Sequence, residues 1–321
     1  MAGGAPSEFR RPASSRKFIQ MNVIGFGDNI IDRFVDRRIL YPGGNALNFS
    51  VFASRLGAVS DYVGVFGTDP LADHLRASLL KEGVGIGRSV AKSGPSGWAN
   101  VRLEDGERVF GAWNGGGVTT AEPMVLEAGQ LEYIAGARLL HSGAYSRTES
   151  ELPKLVDLPT LVSFDLSSGA EHRDQDYLSS VCPYVDLALV SCADLSEQET
   201  RSLMATIAFH GADLVLGTMG TAGSILFDGA DYHRGHSVPV DPDEVKDTMG
   251  CGDAYLTAFA LELLGAGWTK ASPPDSEAIA LAFKAGAVYA AQQCLTEGSF
   301  GYGIPFQTDE SPAPETTATV G

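Results

Sequence analysis

Residues 247–253, Asp247-Thr-Met-Gly-Cys-Gly-Asp253, run directly into Ala-Tyr-Leu-Thr-Ala-Phe-Ala-Leu-Glu-Leu-Leu, an apolar helical stretch. The glycine-spaced turn opens that helix, and the first N–H groups of a helix have no intrahelical acceptor. They make an anion cradle, and Asp253 puts a carboxylate in the first turn beside it. A phosphate gaining charge would meet the helix N-terminus while Asp253 received a hydroxyl proton, so the segment reads as phosphoryl transfer to an alcohol. An ordinary helix start gives the same pattern, because the helix dipole favours a carboxylate there. Other segments must decide between the two readings.

Near the other end, Gly25-Phe-Gly27-Asp28-Asn29-Ile30-Ile31-Asp32 follows the first strand. A dinucleotide-binding fingerprint requires glycine where this chain has Ile30, which removes the best support for an oxidoreductase. Asp28 and Asp32 are better explained by a polyol, because carboxylates just beyond a strand end accept hydrogen bonds from neighbouring sugar hydroxyls. Asp28 as a helix cap or turn residue is the plainer alternative. Pro42-Gly43-Gly44-Asn45-Ala-Leu-Asn48 then places two glycines and two carboxamides at a helix start. Glycine lets a ligand approach the backbone, and asparagine offers hydroxyls both a donor and an acceptor.

The elements that must position these groups alternate. Residues 21–27 read as a strand, and 45–57 as a helix with Asn45 as its cap and Ala46, Phe49, Ala53 and Leu56 on one face. Strands follow at Tyr62–Phe66, Leu139–Ser142, Leu161–Leu166, Leu187–Ser191 and Asp213–Thr218, with helices near 69–82, 149–156 and 196–209. Recurring strand-then-helix order predicts an α/β fold with a mostly parallel central sheet covered on both faces and ligands at the carboxyl ends of its strands. Two stretches interrupt the alternation, Arg33–Tyr41 and Gly97–Asn114; in the second, Asp105-Gly106 between alternating runs marks a hairpin. These insertions are expected to form a small β lid, or else an edge hairpin of the main sheet. Trp98 and Trp113 flank the hairpin, with core or interface packing as their commoner use.

Composition narrows the classes. With 321 residues, 44% of them hydrophobic, the chain has ample core material for one large α/β domain. Its 40 acidic against 23 basic residues give a charge of −17, which opposes binding to nucleic acid or anionic membranes. Cys182, Cys192, Cys251 and Cys294 lack metal-ligand spacing and form no disulfide framework, so a cytoplasmic setting is the default. The six histidines lack ligand spacing too, and His233 and His236 are expected to be exposed. No stretch has the length and apolarity of a signal peptide or membrane span. The expected layout is a flexible segment over 1–18, one domain over 19–306 and a flexible tail over 307–321.

Taken in order, the Gly-Asp of the first strand, the Gly-Gly-Asn motif, the hairpin insertion and Asp-Thr-x-Gly-x-Gly-Asp resemble the ribokinase, or PfkB, family of ATP-dependent carbohydrate kinases over residues 21–303. Gly27-Asp28-Asn29, Gly43-Gly44-Asn45-Ala46-x-Asn48, Arg108-Val-Phe-Gly111 and Glu297-Gly-Ser-Phe-Gly301 are most similar to its fructoselysine 6-kinase, or fructosamine kinase, branch. The resemblance implies a three-layer ribokinase-like sandwich. It makes Asp253 the catalytic base and the Gly250, Cys251 and Gly252 amides the anion hole. Asp28, Asn29, Asp32, Gly43, Gly44, Asn45 and Asn48 would hold the sugar, with Arg108 closing over it or standing as a solvated hairpin charge. Thr218, Gly220, Gly223 and Thr248 would meet ATP. Many members carry Asn-x-x-Glu where this chain has Ser191-Cys-Ala-Asp194, so Asp194 is expected to reach Mg2+ through water. Cys251 stands where alanine is common and is read as a small packing residue rather than a thiolate at a helix N-terminus.

The expected reaction is therefore phosphorylation of a sugar or sugar-amine hydroxyl, with a homodimer through the lid as one form of assembly. Kinases of free sugars or nucleosides, and a sugar sensor without turnover, remain rival readings.

Overall fold

The computed structural model describes residues 21–104 and 107–306, without the side chains of 103–108. Both termini expected to be flexible, and the Asp105-Gly106 turn, lie outside the described residues. In chain order the elements are β1 (Asn22–Gly27), β2 (Ile30–Phe34), β3 (Ile39–Gly43), α1 (Asn45–Leu56), β4 (Val59–Phe66), α2 (Pro70–Lys81), β5 (Val90–Ala91), β6 (Trp98–Glu104), β7 (Glu107–Trp113), α3 (Gly117–Ala121) and α4 (Ala128–Ile134). Then come β8 (Leu139–Gly143), β9 (Leu161–Asp165), α5 (Gln175–Val181), β10 (Leu187–Ser191), α6 (Glu197–Phe209), β11 (Leu214–Thr218), β12 (Ser224–Phe227), β13 (Tyr232–Gly235), α7 (Cys251–Gly265), α8 (Ser276–Gln293) and β14 (Ile304–Pro305).

Side chains alternate across a strand, and that alternation divides the core in two. Val23, Tyr62, Leu139, Leu161, Leu187 and Leu214 face α1, α2, α7 and α8. Their neighbours Ile24, Val63, Leu140, Val162, Ala188 and Val215 face α4, α5 and α6. The sheet between these layers runs β13-β12-β11-β10-β9-β8-β1-β4-β5 among the described residues. From β11 to β5 it is parallel, and β12 and β13 add an antiparallel edge. The expected three-layer α/β sandwich is the observed fold. The parallel strands end on one edge, which gathers Asp28, Asp165, Ser191 and Thr218 from distant parts of the chain.

Helix starts are set by caps that the sequence supplies. Pro70 occupies the first turn of α2 while Asp69 accepts the Ala72 N–H at 2.9 Å, and Ser196 and Glu199 form a capping box on α6. Two expectations need correction. The segment 149–155 is a 3-10 helix, because Pro153 removes an amide donor that an α-helix would need. Asn45 does not cap α1: Gly44 is the N-cap, at φ 113, and Asn45 is the first helical residue.

The lid is larger than two insertions. β14, β3, β2, β6 and β7 form a second sheet in that order, with β2 and β6 parallel and the other pairs antiparallel. Phe34, Tyr41, Val101 and Met249 make its own small core, and the Arg33 guanidinium lies 4.3 Å from the Trp98 ring centroid. The β12–β13 hairpin, α8 and β14 are additions to the elements read from sequence. His233 is not free in solvent: it lies 2.7 Å from Asp228, while His236 is exposed.

Candidate active site

Between the lid sheet and the carboxyl edge lies a cavity of about 590 Å³. Its polar wall includes Asp28, Asp32, Asn45, Asn48 and Asp253, together with Gly44 and Gly250. Val109, Phe110 and Trp113 of β7 form an apolar wall opposite. The N- and C-terminal motifs, more than 200 positions apart in sequence, therefore meet in one pocket.

Asp28 organises the start of α1. Its Oδ2 accepts the Asn45 N–H at 2.8 Å, and its Oδ1 accepts the Ala46 N–H at 3.0 Å and the Ser146 hydroxyl at 2.8 Å. From the turn between β1 and β2 it thus caps α1 while facing the cavity. Gly44 makes this possible, since a Cβ there would stand 2.9 Å from the Asp28 Oδ2 in a left-handed backbone conformation.

With the α1 amides satisfied by Asp28, the two carboxamides are left for Asp253. Asn45 Nδ2 donates to Asp253 Oδ1 at 3.1 Å and to Asp165 Oδ2 at 2.5 Å. Asn48 Nδ2 donates to Asp253 Oδ2 at 2.7 Å and to Ser299 Oγ at 3.1 Å. Both oxygens of Asp253 are therefore oriented by α1. The Asn48 Oδ1 is buried without a protein partner among the described residues. Burial, then the charge of Asp165, then those of Asp28 and Asp32, push the Asp253 carboxyl well above the usual carboxylate range, against the opposing Asn48 hydrogen bond.

Asp165 was not anticipated as a site residue. It closes β9, joins the cluster through Asn45, and is pushed up to about 6, first by burial and then by the charge of Asp28. Its Oδ1 holds the Ser167 N–H at 2.7 Å, and Ser167, at φ 60 in the left-handed region, lines the cavity. A carboxylate ending a largely apolar strand was the available sequence signal. Ser299 was likewise not singled out, although it sits in the Glu297–Gly301 motif and receives Asn48.

Gly250 is the left-handed N-cap of α7 at φ 73, and an added Cβ would press on Ser299 and Phe52 at 3.1 and 3.3 Å. The Cys251 N–H reaches the Thr248 carbonyl at 3.2 Å, and Ala254 N–H reaches the Gly250 carbonyl at 2.8 Å. At Gly252 an added Cβ would meet nothing within 4 Å. Open space thus adjoins Gly252 in the first turn of α7, beside Asp253. Asp247 fixes this turn to the C-terminal loop by accepting Met249 N–H at 3.0 Å and Gly298 N–H at 3.1 Å.

The remaining expected residues are dispersed. Asp32 lines the cavity, with Gly43 directly behind it: an added Cβ would lie 2.4 Å from the Asp32 Oδ2. Asn29 lines it too, but its amide donates into the core, to the Tyr62 hydroxyl and the Val65 carbonyl, each at 2.8 Å. Arg108 belongs to β7, and its side chain lies outside the described residues. Thr218, Gly220, Gly223 and the exposed Thr248 stand outside the cavity lining. Thr218 ends β11; Gly220, at φ 58, leaves its Cβ position open, whereas at Gly223 the Gly235 carbonyl would lie 2.3 Å from a Cβ. Asp194 is bound by Arg173 through hydrogen bonds of 2.9 and 3.0 Å, which hold its carboxyl below the usual range. Among the described residues no three His, Cys, Asp or Glu side chains gather into a metal site.

Residues 34–300 match the family described as pfkB family carbohydrate kinase. The chain is 38% identical to the fructosamine kinase FrlD of Bacillus subtilis, over 92% of this chain and 99% of that protein. It is 30% identical to the fructoselysine 6-kinase of Escherichia coli, over 73% of this chain and 85% of that one. Among solved structures, the fructokinase of Xylella fastidiosa with bound ATP superposes with a TM-score of 0.70 at 20% identity, covering 87% of this chain and 94% of that one. The ribokinase of Giardia lamblia also reaches 0.70, at 16% identity with 88% and 94% covered.

Proposed function

The chain belongs to the pfkB family of carbohydrate kinases, and from that premise we propose that it transfers the γ-phosphoryl group of ATP to the 6-hydroxyl of a fructosamine such as fructoselysine. The carrying observation is the position of Asp253: inside a carboxylate-rich cavity, oriented by two asparagines and next to the open Cβ position of Gly252 at the start of α7. A fructosamine is a polyol joined to a cationic amine. Hydroxyls suit Asn45 and Asn48, the cation suits a wall bearing Asp28 and Asp32, and the amine's hydrocarbon suits Val109, Phe110 and Trp113.

In this reading the acceptor hydroxyl gives its proton to Asp253 as its oxygen attacks the γ-phosphorus, and the bond to the β–γ bridging oxygen breaks to leave ADP. The amides of Gly250, Cys251 and Gly252 receive the growing charge on the transferred group, that of Cys251 in exchange for the Thr248 carbonyl. Thr218, Gly220, Gly223 and Thr248 hold the nucleotide, with the open backbone at Gly220 and Gly252 accessible to phosphate oxygens. Magnesium, when bound with the nucleotide, would neutralise phosphate charge, and Asp194, its two oxygens already held by Arg173, would reach it only through water. One kinase domain over 19–306, a lid-to-lid homodimer and a cytoplasmic setting complete the proposal.

The test is coupled ADP release with fructoselysine, glucoselysine, fructose, ribose and adenosine, and the phosphorylated position read by NMR. Fructoselysine should give the highest kcat/KM; preference for a free sugar or nucleoside would sink the substrate reading. Asp253→Asn should lower turnover by about a thousandfold or more while ATP still binds. Undiminished turnover would remove Asp253 from its role.

A further inference from the structure

The sulfur atoms of Cys251 and Cys294 lie 3.2 Å apart, both as reduced and partly exposed thiols. We propose that they form a thiol–disulfide exchange site, taking a small-molecule disulfide as oxidant and controlling the phosphoryl cradle. The placement is specific. Cys251 is the first residue of α7, two positions before Asp253, and Cys294 is the C-cap of α8. The Cys294 carbonyl also accepts the N–H groups of Lys246 and Asp247, at 2.9 and 3.3 Å. Cys294 therefore touches the catalytic turn at both ends, through its backbone at the start and its thiol at the finish. The two helices meet closely, for a Cβ on Gly286 of α8 would lie 3.0 Å from the Tyr255 ring of α7. Cys182 and Cys192 are fully buried, so the exposed pair is where an oxidant in solution reacts.

One thiolate of the pair attacks a sulfur of oxidised glutathione and expels one glutathione thiolate. The second thiolate attacks the resulting mixed disulfide and expels the other. The protein loses two electrons and two protons, and both are recovered in two molecules of reduced glutathione. Closing the bond draws the sulfurs from contact to about 2.05 Å. The turn is thereby pulled against α8 by an ångström-scale displacement, enough to cost roughly a hundredfold in a positioned reaction.

The inference rests on α7 amides receiving the phosphoryl group, but its first readout needs no substrate. The whole chain is incubated with oxidised glutathione and mapped by non-reducing peptide mass spectrometry. A Cys251–Cys294 linked peptide is expected, with turnover on the acceptor chosen by the ADP screen falling at least about tenfold and returning with dithiothreitol. Cys294→Ser should keep basal turnover and remain active under the same oxidant. Absence of the linked peptide in active enzyme, a linked enzyme with full turnover, or equal inactivation of Cys294→Ser would each overturn the proposal. Failure of fructoselysine as acceptor would leave the mapped bond untouched.

Discussion

In its proposed role Asp253 holds two demands in tension: a base must be ionised to work, yet burial and three neighbouring carboxylates favour its protonated form. Activity is consequently expected to fall with acidification at a higher pH than a solvated carboxylate would give. Asn48 opposes that shift, so Asn48→Ala should move the acid limb of kcat/KM further toward neutral pH and lower turnover by about tenfold or more. A limb unmoved in the pH–rate profile would deny the coupling. Asp165 offers a test on stability. Its pKa is raised to about 6, above the unfolded value, so the folded chain binds the proton more tightly and stability falls as pH rises from about 4 to 6. The ionised group then costs roughly 3 kcal/mol near neutrality. Asp165→Ala should thus gain relative to the parent as pH rises from about 4 to 6 in thermal denaturation, whatever the constant loss from freeing Asn45; a pH-independent difference would reject this.

At the scale of elements, α1 and α7 meet with their N-termini around one carboxylate, and Gly252 separates function from folding there. Its Cβ position is open and its backbone is helical, so Gly252→Ala should leave stability equal or raise it by up to about 1 kcal/mol. The same methyl group would occupy the phosphate's approach, lowering kcat by at least about tenfold. Equal turnover in parent and variant would place the cradle elsewhere. How far such elements were legible depends on locality. Alternating apolar residues and the Asp247–Asp253 spacing are local, so the parallel sheet, α7 and Asp253 could be read from sequence. Asp165 and Cys294 acquire meaning only when the fold carries them to Asn45 and Cys251, across 120 and 43 positions. Two-residue β14 leaves no periodic pattern, and Asp28 caps a helix 17 residues downstream, which no local rule reveals.

For the molecule as a whole, the lid sheet leaves one problem open at its margin. Among the described residues β7 is its outer strand, and Val109 and Phe110 are 41% and 50% exposed there while also lining the cavity. An outer strand with apolar side chains invites another strand, and a second copy laid across β7 would cover both residues and wall the mouth of the pocket. Pairing and acceptor affinity should then change together. Phe110→Lys places a charge on the edge, and sedimentation velocity should show dimers of the parent giving way to monomers, with the dissociation constant raised at least about tenfold. The acceptor KM should rise in the same variant while ATP affinity stays constant, because the residues proposed to hold the nucleotide stand outside this cavity. A parent that remains monomeric at micromolar concentration, or a variant dimer of unchanged affinity, would mean that β7 closes against nothing and that its apolar wall serves the acceptor alone.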